Sequence, residues 1–329
     1  MTPIRKAAIA GTGSYLPERI LSNAELERMV DTTDAWIMER TGIRERRIAG
    51  PEESTSTMAI IAARRACEDA GMSPAEIELI IVATITPDYV FPATACLVQH
   101  AIGAKRAGGF DLEAACSGFV YGVNVAAGLI ASGMYKNILV IGAETLSRLV
   151  NYQDRATCIL FGDGAGAAVL TARENGAGVL HTSMRSEGEE TQSMLIPAGG
   201  SRQPASADTV ARQLHTLHMD GKRVFKFATK IFVELVEEAL TACGLQREDV
   251  ALVIPHQVNQ RIIEAAVRKL EMPLEKFFVN LDHYGNTSAA SVPIALDEAR
   301  RAGLIHAGDH IITIAFGGGL TWASSVIRL

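Results

Sequence analysis

Three residues of this chain have the type and setting to do nucleophilic chemistry: Cys116, His256 and Asn286. Cys116 ends the stretch Gly109-Phe110-Asp111-Leu112-Glu113-Ala114-Ala115-Cys116, where a β-compatible run meets a helical pattern. At such a turn the first helical N–H groups have no intrahelical partner. Those donors and the positive helix end favour thiolate, so such a thiol can fall below its free pKa of about 8.5. The competing reading is a small core hydrophobe, the usual fate of a lone cysteine. His256 follows the apolar run Val250-Ala251-Leu252-Val253-Ile254, and catalytic groups gather at the carboxyl ends of parallel strands. The other histidines, at 100, 181, 215, 218, 283, 306 and 310, read as structural side chains.

The elements that must position these groups repeat. A long helix ends at Gly71 and is followed by the buried strand Glu78 to Thr84; a second, from about Lys222 to Cys243, ends at Gly244 before the strand at Val250. The two glycines are 173 residues apart, and Gly133 and Gly303 are 170 apart. Shifting Cys116 by 170 reaches Asn286, whose Asn286-Thr287-Ser288 also precedes an amphipathic helix, Ala289 to Arg301. Near-continuous apolar strands alternating with helices predict two stacked, parallel-rich sheets with helices between and outside. A pseudo-twofold would then bring both helix starts to one central site. Small residues at Gly118, Gly122 and Ala126 line one face of the helix after Cys116, so it can be closely buried. Shorter helices start at Ser22-Asn23 and Thr33-Asp34. The glycines of Phe161-Gly162-Asp163-Gly164-Ala165-Gly166 lead into a strand, not a helix, which excludes a dinucleotide fingerprint.

Composition narrows the class. The chain has 329 residues, 48% apolar and 21% charged, the balance of a globular protein with a large core. A net charge of −6 and only 5% aromatic residues speak against nucleic-acid binding. Cys67, Cys96, Cys116, Cys158 and Cys243 are scattered, odd in number and free of CxxC pairs, which fits reduced thiols in a cytoplasmic setting and no metal site. No apolar run reaches the roughly 18 residues of a membrane span, and Met1 to Lys6 has no apolar leader.

The motifs together carry a resemblance. They are Gly11-Thr12-Gly13-Ser14-Tyr15-Leu16-Pro17, Asp34-Ala35-Trp36-Ile37, Arg40-Thr41-Gly42-Ile43-Arg44-Glu45-Arg46, Ala115-Cys116-Ser117-Gly118-Phe119, Pro255-His256-Gln257-Val258-Asn259, Tyr284-Gly285-Asn286-Thr287-Ser288-Ala289-Ala290 and Ala315-Phe316-Gly317-Gly318-Gly319-Leu320-Thr321-Trp322. Over nearly its whole length the chain resembles the β-ketoacyl-[acyl-carrier-protein] synthase III family of the thiolase superfamily. The resemblance implies an α/β, five-layered αβαβα thiolase-like fold with two pseudo-twofold-related halves, residues 1–180 with Cys116 and 181–329 with His256 and Asn286, and a homodimer. It implies condensation of a short acyl-CoA with malonyl-acyl-carrier protein through an acyl-Cys116 intermediate, initiating fatty acid synthesis. No cofactor, metal, nucleic acid or membrane is implied.

By the same resemblance, His256 and Asn286 bind the malonyl thioester oxygen, and the N–H groups of Cys116 and Gly318 form an oxyanion hole. Trp36 and Arg155 sandwich the CoA adenine, Arg40 lies near its phosphates, and Gly221 and Asn259 contact the pantetheine arm. Lys226, Arg261, Arg268 and Lys269 form a basic patch for the carrier protein, although Arg268 and Lys269 read equally well as a solvated helix face. Phe91 reaches across the dimer to close the acyl pocket, which favours short primers such as acetyl. The stretch from about Gly199 to His218 looks longer than the family pattern.

Alternatives stay open at this level. A related acyltransferase could take a longer primer or a secondary-metabolite acceptor. Chalcone-type synthases share Cys-His-Asn but are longer. A non-catalytic partner subunit would normally lack the cysteine, and a Cys-His hydrolase would need no malonyl donor.

Overall fold

The computed structural model describes residues 5–329. The leader reading at Met1 to Lys6 therefore falls largely outside the described residues.

The apolar runs become the central strands. All nine residues of the strand Asn137–Thr145 and all five of Leu79–Ala83 are buried, because helices cover both faces of their sheet. That sheet has five strands in the order 6–15, 163–173, 137–145, 79–83, 108–112. The last three are parallel to one another, and the first two are antiparallel to their neighbours. The second sheet runs 250–255, 310–317, 321–328, 178–186. Phe277 bridges Val253 in parallel beyond its 250–255 edge. Read from the opposite end, it repeats the first sheet's pattern: an antiparallel outer strand, an antiparallel neighbour, then parallel strands.

Alternation decides the layers. Leu79 and Ile81 face inward to the helix Gly118–Ala131, whereas Ile80 and Val82 face outward to the helix Thr55–Asp69. The inner cluster joins Phe119, Val123 and Ile130 to Val292, Leu296 and Ala299 of the helix Ser291–Arg301, and to Ile254, Ile311 and Ala323 of the second sheet. The helices Gly221–Cys243 and Gln260–Leu270 pack on the far side of that sheet through Phe232, Leu235, Ile263 and Val267. The result is outer helices, sheet, inner helices, sheet, outer helices: five layers.

Helix ends follow the chemistry of their caps. Ser54 and Thr33 accept the N–H groups of Thr57 and Trp36, and Gly42 and Gly244 close helices in the left-handed conformation. The helix at Asn23 has its full capping box at Ser22 and stops at Leu26.

Glycine permits the closest contacts of the middle layer. A Cβ at Gly142 would lie 2.1 Å from the Ala289 carbonyl oxygen, and one at Gly166 would lie 2.7 Å from the Ile294 nitrogen. The Gly-rich stretch thus serves helix-to-sheet packing. Gly118 and Gly122 do the same, against Ala83 and Val140.

The internal repeat differs from the expectation at the site. The short 3-10 turns Ala115–Ser117 and Ser288–Ala290 stand in matching places, each running directly into an inner helix. Their first residues share an unusual positive φ, 45° at Ala115 and 49° at Ser288. The counterpart of Cys116 is therefore Ala289, not Asn286. The offset drops from 173 to 170 only after this point, because the first inner helix has 14 residues and the second has 11.

Candidate active site

Cys116 sits at the centre of the first 3-10 turn and is 4% exposed. Strand 321–328 holds this turn in place. The Thr321 hydroxyl donates to the Ala114 carbonyl at 2.9 Å, and the Ser117 hydroxyl donates to the Thr321 carbonyl at 3.1 Å. Gly317 lies against it, so close that a Cβ there would come within 2.7 Å of the Cys116 nitrogen.

The more acidic thiol that a helix start can give is not what this setting produces. Burial pushes Cys116 up to about 12, the Glu144 carboxylate adds to the rise, and a hydrogen bond with Ser288 only partly opposes it. Desolvation outweighs the helix end here, because the cysteine stands in a 3-10 turn ahead of the α-helix and away from water.

His256 is fully buried just beyond the strand Val250–Pro255. Its backbone N–H donates to the Ile314 carbonyl at 2.8 Å, its Nδ1 is 2.7 Å from the Ser291 hydroxyl, and the ring stands edge-on to Phe316. Nε2 is buried with no hydrogen-bond partner among the described residues. Desolvation pulls this imidazole down to about 3, so it is neutral at physiological pH.

Asn286 is held on both sides. Its backbone N–H donates to the Leu160 carbonyl, and its own carbonyl accepts from Gly162. The Ser288 N–H donates to Asn286 Oδ1 at 2.8 Å, which leaves the NH2 end of the amide to face the pocket.

One pocket of about 280 Å³ joins Cys116, His256 and Asn286. Trp36, Arg40, Gly221, Asn259 and Arg261 line the same pocket. Asn259 also has structural duties: Nδ2 donates to the Arg40 carbonyl at 2.9 Å, and Oδ1 accepts from Arg261 at the start of its helix. The Arg155 guanidinium lies 4.9 Å from the centre of the Trp36 ring, and Arg40 lies 5.6 Å from it. With the side chains placed so, the Trp36–Arg155 pair is closed on itself.

The remaining expected residues lie elsewhere. Gly318 faces a neighbouring cavity beside Ala115 and Met194. Lys226 lines a separate groove of mixed charge that includes Arg223, Lys230, Glu187, Glu190 and Glu234. Arg268 and Lys269 are exposed in the last turn of their helix, with Arg268 3.9 Å from Glu264 one turn back. Phe91 is 88% exposed and lies outside the pocket of its own chain. The segment before the helix at Gly221 folds back, with a short helix Ala207–Ala211 and a strand pairing of Met219 with Met194, both of which line the pocket. Sequence reasoning missed Ser288, Ser291, Phe316, Gly317 and Glu144. Only the family-like strings around them, such as Asn286-Thr287-Ser288 and Phe316-Gly317, pointed to the region.

Among the described residues no group of histidine, cysteine and carboxylate side chains could hold a metal ion, and no helix is long and apolar enough to cross a membrane.

Such an arrangement, a buried cysteine with a neutral histidine and an asparagine at the floor of a pocket between two stacked sheets, defines a condensing acyltransferase of the thiolase-like fold. Residues 110–188 match the family model of 3-oxoacyl-[acyl-carrier-protein] synthase III, and residues 240–329 match the model of its C-terminal part. The chain is 56% identical to the β-ketoacyl-[acyl-carrier-protein] synthase III of Caldanaerobacter subterraneus subsp. tengcongensis over 322 residues, covering 98% of this chain and 97% of that one. It superposes on the crystal structure of 3-oxoacyl-[acyl-carrier-protein] synthase III from Aquifex aeolicus VF5 with a TM-score of 0.91, at 48% identity, covering 98% of this chain and all of the other. The priming β-ketosynthase of the R1128 polyketide biosynthetic pathway is similar at 38% identity and a TM-score of 0.92, covering all of this chain and 98% of that one. The chain belongs to the β-ketoacyl-[acyl-carrier-protein] synthase III family.

Proposed function

We propose that this enzyme condenses a short acyl-CoA, acetyl-CoA first among them, with malonyl-acyl-carrier protein, giving 3-oxoacyl-acyl-carrier protein, CoA and CO2. The convergence of Cys116, His256 and Asn286 on one pocket carries this reading. Cys116 sulfur attacks the acyl-CoA carbonyl, the C–S bond to CoA breaks, and the thiol proton ends on the departing CoA sulfur. The N–H groups of Cys116 and Gly318 hold the developing oxyanion. Malonyl-acyl-carrier protein then loses CO2. His256 donates from Nε2 to the resulting enolate oxygen, with the Ser291 hydroxyl donating to Nδ1 to fix that tautomer. The Asn286 NH2 is the second donor. The enolate carbon attacks the acyl carbonyl, and Cys116 leaves and regains a proton from solvent.

In the same reading Trp36 and Arg155 open to take the adenine, Arg40 meets the phosphates, and Gly221 and Asn259 line the pantetheine path. Lys226, Arg261, Arg268 and Lys269 form the approach for an acidic carrier protein. The enzyme works as a cytoplasmic homodimer without a cofactor, and Phe91 of a second copy closes the acyl end. The chain divides into residues 1–180, with the nucleophile, and 181–329, with both oxygen-binding groups; the matched strand orders support two halves, but with the break between Arg173 and Gly178, ahead of the strand Gly178–Ser186 that belongs to the second sheet. A longer primer or a secondary-metabolite acceptor is the second reading, favoured by the likeness to the priming ketosynthase.

Intact-protein mass spectrometry tests the proposal. Mixing with acetyl-CoA should add one acetyl group, lost again as acetoacetyl product forms on adding malonyl-acyl-carrier protein. The Cys116→Ser variant should fold and show no adduct. An adduct only with longer acyl-CoA selects the second reading, and no adduct with any acyl-CoA overturns both.

A further inference from the structure

Glu144 has no part in the steps above, yet it is fully buried at the end of the strand Asn137–Thr145, close to the nucleophile. Its carboxylate accepts the Thr86 hydroxyl at 2.6 Å, the Thr84 hydroxyl at 3.2 Å, the Ile85 N–H at 3.2 Å and the Ser288 hydroxyl at 3.1 Å. All four partners are donors and all are neutral. Such a set suits an ionised carboxylate, which only accepts. Burial works in the opposite direction and pushes Glu144 up to about 7. A carboxylate kept in an apolar interior with no cation among these partners is costly to the fold.

Ser288 connects this group to the reacting atoms. Its N–H holds Asn286 Oδ1 at 2.8 Å, and its hydroxyl donates to Glu144 at 3.1 Å. Ser288 also has a φ of 49°, a region that L side chains rarely adopt. A charge-assisted bond to a buried anchor is a means of keeping it there.

We propose that Glu144 is a positioning residue for this reaction: through Ser288 it fixes the direction of the Asn286 amide. The inference rests on the role given above to Asn286.

The test compares Glu144→Gln, Ser288→Ala and the double variant with the wild type. Glu144→Gln keeps the shape but brings an NH2 among four donors. Four quantities are measured: acetyl transfer to Cys116 by intact mass, decarboxylation of malonyl-acyl-carrier protein, the KM for acetyl-CoA, and the melting temperature. Each single variant should lower the decarboxylation kcat about tenfold or more, the range expected when a reacting donor is misplaced, with the KM for acetyl-CoA changed less than about twofold. The double variant should be no worse than the poorer single one, because both break the same link. Full kcat in Ser288→Ala overturns the proposal, even where Glu144→Gln fails to fold. So do single effects that multiply in the double variant, or losses that only follow the unfolded fraction. If wild-type Cys116 takes no acyl group, the functional reading fails first, and that outcome is distinct from all of these.

Discussion

Ala115 and Ser288 hold the same backbone conformation at the same place in the two halves of the molecule, with φ of 45° and 49°. Each opens a 3-10 turn that feeds an inner helix. The residue after Ala115 is Cys116, and the residue after Ser288 is Ala289. The halves thus repeat a backbone device and give it different work. One presents the proposed nucleophile, and the other presents an amide two residues earlier and ties it down.

Asn286→Ala should separate the two half-reactions. Malonyl decarboxylation should fall by about 100-fold or more, the usual cost of losing one oxyanion donor, while acetyl transfer to Cys116 should fall less than about tenfold. Rapid-quench mass measurement of the acetyl adduct, set beside release of labelled CO2, reads both. Equal losses would remove Asn286 from its assigned role.

His256 should stay neutral throughout the working range. Burial lowers it from 6.5 to about 3, so its imidazole NMR signals should not titrate between about pH 5 and 8. The stability consequence has a definite sign. The unfolded chain takes up a proton below about 6.5 and the folded one does not until about 3, so this residue withdraws stability as the pH falls through that window. Denaturant titrations of wild type and His256→Asn, compared at neutral and acidic pH, would show it. A wild-type decline no steeper than the variant's would count against the buried neutral ring.

Phe91→Thr should extend the usable primer. The ring is 88% exposed in the single chain, so folding should be unaffected, and room at the acyl end of a dimer is what changes. Competition between acetyl-CoA and hexanoyl-CoA should shift toward the longer primer by about tenfold, the scale of one or two methylenes in an apolar pocket. An unchanged ratio would sink the assignment.

Gly142→Ala should damage the core and the site together. Its new Cβ would meet the Ala289 carbonyl oxygen at 2.1 Å, and backbone cannot yield as a side-chain tip can. A loss of about 3 kcal/mol, at the upper end for overpacking, should lower the melting temperature by several degrees in a thermal-shift assay. An unchanged melting temperature would mean that the inner helix sits more loosely on the sheet than described.

Much of this was legible in the residues, for reasons that can be named. Buried strands such as Asn137–Thr145 are apolar because both faces are covered, and their punctuation by glycine and capping serines survives in any sequence. Cys116, His256 and Asn286 stand in distinctive strings. What was not legible depends on distance across the fold. Glu144 reads as an ordinary acidic residue at a strand end until Thr84, Thr86 and Ser288 close around it. The thiol's acidity depends on water access, and no spacing rule reports that. The Cys116 to Asn286 equivalence failed because chain offset is not structural register, and a three-residue difference in helix length intervened. Charge patterning likewise could not show that Lys226 stands among Glu187, Glu190 and Glu234.

The inner helices, notched by glycine into the sheets, set the alignment of the chemistry. Cys116 precedes one of them and Asn286 the other, and the two helices share one buried apolar cluster. The tolerance of the catalytic gap is therefore the tolerance of the hydrophobic interior itself. Warming should leave such a catalyst in calibration until the interior melts, and the loss of turnover and the loss of structure should then be a single event.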